Sequence, residues 1–242
     1  MNYAIIAAGE GSRLIQEGIK VPKPLVELNQ TPLIDRLITI FLNNNATSLS
    51  IIVNEEMTEV REHLEKWNFD IPFHLIVRST PSSMHSFFEL SRFLDSGKFC
   101  LTTVDTIFDE DEFADFIRTF EQDTKNDGMM AVTTYIDDEK PLYVALDEKT
   151  MNITGFLDIP ENQEKYISGG IYCLAEKAID TLQDCMKTGI SRMRNYQREL
   201  VRDGLKLKAY PFSKILDVDH AEDIEKAKLF LATSKNNGSK LN

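Results

Sequence analysis

Residues 4–28, AIIAAGEGSRLIQEGIKVPKPLVEL, end an apolar run in two glycines and follow them with an arginine and a lysine. Gly9 and Gly11 leave backbone N–H groups open to a ligand that a Cβ would obstruct. Arg13 adds a guanidinium, and ten residues further on Lys23 stands between Pro22 and Pro24. Prolines on both sides restrict the backbone and pre-set where that ammonium points. A buried strand, a glycine turn, an arginine and a rigidly placed lysine suit a polyphosphate. Two familiar phosphate loops are excluded. The dinucleotide fingerprint needs glycine where Leu14 stands, and no GxxxxGK[ST] occurs. A strand-end turn with solvated basic residues would explain a lone Gly-x-Gly, but not its spacing to Pro-Lys-Pro.

These residues need a scaffold, and the first 120 residues supply one with two alternating periods. Short apolar runs at 3–8, 48–54, 73–78 and 98–104 read as strands buried on both faces. Between them, helical stripes run through Ile34–Leu42, Val60–Trp67 and Phe87–Leu94, and another follows from Phe113 to Phe120. The acids 109–112 suit the start of that last helix and are assigned no chemistry. Strands alternating with helices predict an α/β fold whose mostly parallel sheet carries helices on both faces. The second half differs: runs at 128–136, 141–148 and 151–156 follow too quickly for crossover helices, so antiparallel or mixed pairing is expected there. A strand at 167–174, helices near 176–187 and 191–202, a strand at 205–212 and a helix near 221–233 complete the pattern. Residues 1–233 read as one domain, and the polar tail 234–242 as disordered.

Asp105 directly follows the apolar run FCLTTV, so a parallel strand would deliver it to the carboxyl edge of the sheet, the usual ligand crevice. The bland reading is a turn or capping aspartate. Asp217 and Asp219 alternate, so on an extended strand both side chains share a face. Composition narrows the possibilities. The 242 residues carry 39 acids against 27 bases, a formal charge of −12, which disfavours nucleic acid and anionic membrane surfaces. No run of 18 apolar residues and no export signal are visible. Three cysteines without a CxxC point to a reducing cytoplasm, and to core residues rather than a disulfide framework or thiolate metal site.

AAGEGSR followed by PKPL resembles the signature of the sugar-phosphate nucleotidylyltransferases (NDP-sugar pyrophosphorylases), whose fold is Rossmann-like, of the GT-A-like kind. LNQTPLIDRLI at 28–38, TTVDTIF at 102–108, SGGIY at 168–172 and ILDVDHAEDIEKAK at 215–228 are similar to later family segments, in order. The resemblance implies that a phosphate oxygen of a phosphorylated small molecule attacks the α-phosphorus of an NTP and pyrophosphate leaves. That nucleophile is already ionised at pH 7, so no general base is required, in keeping with only four histidines. The step needs electrostatic help for two converging anions and a departing pyrophosphate.

By the same resemblance, Arg13 serves the β- and γ-phosphates and Lys23 bridges towards the α-phosphate. The backbone from Ala8 through Gly9 and Gly11 to Ser12 cradles the nucleotide. Residues 1–123 would form the nucleotide half and 124–233 the substrate half. Mg²⁺ would be held by Asp105 with Asp217, and Asp219 stands as a third candidate because the segment follows a DxD pattern.

Base and acceptor recognition are less specified. The segment 78–90, RSTPSSMHSFFEL, lacks the glycine-rich turn of many sugar-specific members. Ser82, Ser83, His85 and Ser86 could hydrogen-bond a base or substrate, or form a serine-rich helix cap. The lysine that many such members carry falls at Asp158, and Lys165 is a possible substitute. Gly169 and Gly170 either admit substrate or relieve crowding in a strand. Two further readings therefore stand beside a sugar 1-phosphate enzyme: a cytidylyltransferase for a non-sugar phosphate such as phosphocholine, and a catalytically silent nucleotide-binding relative. Oligomeric state is not legible.

Overall fold

A computed structural model describes residues 1–94 and 97–238, with side chains as far as Thr233. Strand β1 (Asn2–Ala7) is the first and is buried from Tyr3 onward. Its alternate residues serve two cores: Tyr3, Ile5 and Ala7 face one, Ala4 and Ile6 the other. A short helix α1 (Ser12–Gln16), a single 3-10 turn at Lys23–Leu25 and the hairpin β2 (Glu27–Leu28) with β3 (Thr31–Pro32) follow. Helix α2 (Leu33–Asn43) then leads to β4 (Ser48–Val53), α3 (Thr58–Leu64), β5 (Phe73–Val77), α4 (Ser83–Ser91) and β6 (Phe99–Thr103). β7 (Thr106–Phe108) and α5 (Glu110–Gln122) close this half; Asp109 caps α5 by accepting from the N–H groups of Asp111 and Glu112.

The remaining elements are β8 (Gly128–Thr133), β9 (Tyr143–Asp147), β10 (Asn152–Leu157) and β11 (Ile167–Leu174), then α6 (Lys177–Thr188) and α7 (Met193–Arg202). β12 (Leu207–Phe212), β13 (Ile215–Asp217) and α8 (Ala221–Gly238) complete the chain. The backbone of α8 thus carries helix into the segment expected to be disordered, while 239–242 lie outside the described residues.

Nine strands form one sheet in the order β5-β4-β1-β6-β11-β8-β12-β10-β9. β5, β4, β1 and β6 run parallel, as expected from their apolar runs; β4 is buried throughout, while β5 at the sheet edge is half-buried. β11 lies antiparallel between β6 and β8, and β10 runs antiparallel to both β9 and β12. The fold is therefore a mixed, mostly parallel α/β sheet covered on both faces. Residues from α2, α3, α5 and α8 pack into one core, and residues from α4, α6 and α7 into the other. Cys100, Cys173 and Cys185 are free and buried within these cores.

Candidate active site

The sheet reverses its direction of growth beside β1. The chain leaves β1 towards β4 and β5, then returns on the other side as β6, so the carboxyl ends of β1 and β6 flank a crevice. A cleft of about 700 Å³ opens there, lined by Ala8, Gly9, Gly11, Ser12 and Arg13 from the glycine turn. The position a Cβ of Gly9 would take is open space. Gly11 has φ +63°, the left-handed conformation that glycine adopts at least cost, and forms the N-cap of α1. Any side chain at Gly11 would also stand 3.0 Å from Lys23 Cβ, so turn and lysine fit closely.

Lys23 is only 8% exposed. The 3-10 turn after Pro22 fixes its backbone, with Leu25 N–H donating to Pro22 O at 2.8 Å. Its ammonium bridges two carboxylates, Asp105 and Asp219, the latter at 2.7 Å. Burial alone would push the lysine pKa down, but the two carboxylates outweigh it and hold the ammonium charged well above its ordinary range. Burial would likewise raise Asp105, and the Lys23 ammonium overrides it and keeps the carboxylate below its usual value. Arg13, half exposed, donates to the second oxygen of Asp219 at 3.1 Å.

Residues more than a hundred positions apart meet here because β13 pairs antiparallel with β7, Asp217 opposite Thr106 and Ile215 opposite Phe108. Val218 N–H continues the ladder to Asp105 O at 3.1 Å. This two-stranded ribbon brings Asp105 and Asp217 together at the rim of the main sheet. Enclosure by the surrounding protein, then the charges of Asp105 and Asp219, push the Asp217 carboxyl up, to about 8, although its side chain still opens onto solvent. Asp217 forms no ion pair among the described residues, so acid is in excess at the junction. Glu17, at the end of α1, fastens this junction. It accepts from Ala221 N–H and pairs with His220 Nδ1, both at 2.6 Å.

A second cleft, about 490 Å³, shares Arg13 and Asp219 with the first and continues along Asp217, Ser168 and Gly169. The place of a Gly169 Cβ is already filled by Ile215 Cδ1, with Ala131 O 3.2 Å away. Gly169 therefore lets β13 lie against β11, which is the crowding reading; its backbone still lines the cleft. Gly170 has φ +73° where the β11–β8 register shifts. The cleft wall is rich in acids, among them Asp137, Asp138, Glu139 and Glu222.

Ser82, Ser83 and Ser86 line the first cleft. Ser82 occupies the N-cap position of α4, yet its hydroxyl pairs with His85 Nδ1 at 2.8 Å and caps no backbone N–H. His85 is thereby engaged outside the cleft lining. Lys20 is exposed and lines neither cleft, and Lys165 pairs with Glu148 at 2.9 Å. Arg13 and Lys23 are not free charges, since both are tied to carboxylates. Sequence reasoning missed Asn54, Glu56, Ser79 and Thr80, which line the first cleft at the ends of β4 and β5. Asn54 Oδ1 accepts from Glu56 N–H at 3.0 Å and from the Ser79 hydroxyl at 2.9 Å, tying the two strand ends together. Their only signal is position: Asn54 and Glu56 follow β4, which neighbours β1, and Ser79 and Thr80 follow β5, one strand further out.

A mixed α/β sheet with polar residues gathered at its switch point defines the class of fold that binds ligands in such crevices, and sequence comparison specifies the family. The nucleotidyl transferase family profile matches residues 3–234, and the chain belongs to that family. It is 25% identical over 225 residues to the bifunctional protein GlmU of Thermodesulfovibrio yellowstonii, covering 88% of this chain and 48% of that protein. It is 24% identical over 239 residues to the bifunctional IPC transferase and DIPP synthase of Aquifex aeolicus, covering 94% of this chain and 51% of the other. The chain thus spans about half the length of the curated relatives it matches. Among solved structures, the inositol-1-phosphate CTP transferase from T. maritima superposes with a TM-score of 0.80 at 18% identity, over 97% of this chain and 96% of that one. A putative glucose-1-phosphate thymidylyltransferase from Bacillus anthracis gives 0.82 at 18% identity, over 95% and 94%. At such identities the superpositions speak to fold.

Proposed function

We propose that this chain catalyses Mg²⁺-dependent transfer of a nucleoside monophosphate from an NTP to a sugar 1-phosphate, with release of pyrophosphate. The observation that carries this reading is the junction of Lys23, Asp105, Asp219 and Arg13 at the sheet's switch point, between two adjoining clefts. The first cleft, built mainly from residues before 124, takes the NTP, with the Gly9–Gly11 backbone along its phosphates and the serines 82 and 83 near the base. The second, built mainly from residues after 124, takes the acceptor, with Gly169 in its lining; Gly170, the other expected substrate residue, lies against Thr106 outside that lining.

The acceptor phosphate arrives ionised, so the chain's task is to hold two anions in line and to stabilise the charge that builds on pyrophosphate. Lys23, kept charged by its carboxylate partners, lines the first cleft and pairs with Asp219, which lines both. Arg13, half exposed, can follow the β- and γ-phosphates.

Two carboxylates, Asp105 and Asp217, are the number and type of protein donors that Mg²⁺ takes beside water and phosphate oxygens, although no cluster of three or more such ligands occurs among the described residues. Asp105 and Asp217 would hold Mg²⁺, with Asp219, already engaged by Lys23 and Arg13, as the third candidate. Bound there, the ion supplies Lewis-acid stabilisation of phosphate oxygens. Buried, free cysteines suit a reducing, cytoplasmic setting.

The acidic wall of the second cleft favours a second reading, in which the acceptor is a cationic alcohol phosphate such as phosphocholine. One experiment separates these readings. Pyrophosphate release is measured for each of the NTPs against sugar 1-phosphates, phosphocholine and related alcohol phosphates, with Mg²⁺ or with EDTA. Release with a sugar 1-phosphate, abolished by EDTA, is expected. Release with phosphocholine alone selects the second reading, and nucleotide binding without release anywhere would leave only a silent relative.

A further inference from the structure

A third cleft, about 600 Å³, lies outside the junction described above: none of Arg13, Lys23, Asp105, Asp217 or Asp219 lines it. Its charged lining is Lys140, Arg192, Arg194 and Arg198 against Glu139 and Asp158, so cations exceed acids on a chain whose net charge is −12. Arg194 and Arg198 are four apart on α7 and so share a face. Both grip Asp158, at 2.7 and 2.8 Å, which sets their guanidiniums side by side. Arg194 also donates to Lys140 O at 2.9 Å, bringing the 134–142 loop to the same place.

The Lys140 ammonium and the Arg192 guanidinium find no partner among the described residues. Arg192 is also costly where it stands. As N-cap of α7 it has φ +72°, a conformation that glycine adopts more cheaply than arginine. No side chain caps the first turn of this ten-residue helix, so its positive end faces the cleft uncompensated. Two unpartnered cations, two held ones and a bare helix start converge on one concave surface.

We propose that this cleft is a second anion site, which takes a phosphate or carboxylate group apart from the reacting phosphates. The Arg194–Arg198 pair offers planar, fork-like donors matched to such oxyanions, while Lys140 and Arg192 supply unspent charge. Glu139 lines both this cleft and the second one, so the anion is either a second anionic group at the far end of the acceptor or a free anion. Arg192 N–H also reaches Ser82 Oγ at 3.4 Å, which links occupancy here to the wall of the nucleotide cleft.

The test is titration calorimetry of inorganic phosphate into the full chain at fixed ionic strength, which needs no turnover. The wild type is compared with the double variant Lys140→Gln/Arg192→Gln and with Arg13→Gln. Both residues of the double variant are exposed, and matching circular dichroism and Tm without phosphate confirm that it folds. We expect the double variant to lose one phosphate per chain, or to bind it at least tenfold more weakly, while Arg13→Gln retains that site. Equal binding by the wild type and the double variant, or no phosphate bound at all, would overturn the proposal. A second arm assigns the source. If the acceptor supplies the anion, the double variant raises the KM ratio of glucuronic acid 1-phosphate to glucose 1-phosphate at least tenfold. If the anion is free, that ratio is unchanged while the calorimetric site is still lost.

Discussion

At the scale of single residues, the account turns on Lys23 and the acids around it. Lys23→Ala removes the one buried ammonium at the junction of the clefts, and Asp105→Asn removes the carboxylate it meets. Each change is expected to lower kcat by at least roughly a hundredfold, the scale of deleting a preorganised electrostatic group. Steady-state kinetics on variants with native circular dichroism check this, and near-normal rates would remove that residue from the mechanism. Arg13, Lys23, Asp105 and Asp217 were legible because each sits at a strand end or beside a constraint that sequence displays. Their partnerships were not: nothing in Pro22-Lys23-Pro24 says that the ammonium is buried against two carboxylates from distant segments. Asn54 and Thr80 were missed for a related reason. Their types carry no motif, and only the pairing of β4 with β1 and β5 places them at the cleft.

At the scale of elements, the short ribbon of β7 and β13 decides the site's geometry. Three-residue strands are too short to show a period, so sequence gave the acids without the ladder that aligns them. Gly169 tests this ladder. Its Cβ position is filled by Ile215 of β13, so Gly169→Ala should push the ribbon off β11, cost about 1–3 kcal/mol as an overpacked site, and lower kcat. Adding Ile215→Val, which deletes the colliding methyl, should restore much of both; denaturant melts and rates on the double variant check it.

Asp127 tests the far edge of the sheet. Its carboxylate accepts from Lys206 N–H at 2.9 Å and from the Lys177 ammonium at 2.9 Å. Partial burial would raise its pKa, but those donors hold it below the usual carboxylate range. A carboxyl lowered by folding stabilises above its unfolded pKa and loses that effect as pH falls through the folded value. Asp127→Asn should therefore cost about 1–3 kcal/mol near neutrality. The gap to wild type should close below about pH 4, read from chemical denaturation across pH. A gap independent of pH would contradict the assigned cause.

At the scale of the whole molecule, parallel pairing in the first half and mixed pairing in the second follow directly from strand spacing, because a crossover needs length. The doubly buried strands made the sheet legible, while the order in which β11, β8 and β12 join it was not, since antiparallel neighbours can be chosen in several ways. Net charge proved a poor guide to ligand. The −12 says little about any one cleft, because charge is distributed unevenly: acids exceed bases around Lys23 and Arg13 in the first two clefts, and four cations gather in the third.

The central claim, transfer of a nucleotidyl group between the first two clefts, is tested most directly by ³¹P NMR of the full chain with an NTP, Mg²⁺ and the acceptor that supports pyrophosphate release. The account predicts that the α-phosphorus moves into a new diphosphate diester with the acceptor as one pyrophosphate appears for each, and that Asp105→Asn suppresses both. Orthophosphate as the product, or pyrophosphate formed without the acceptor-linked diester, would contradict it.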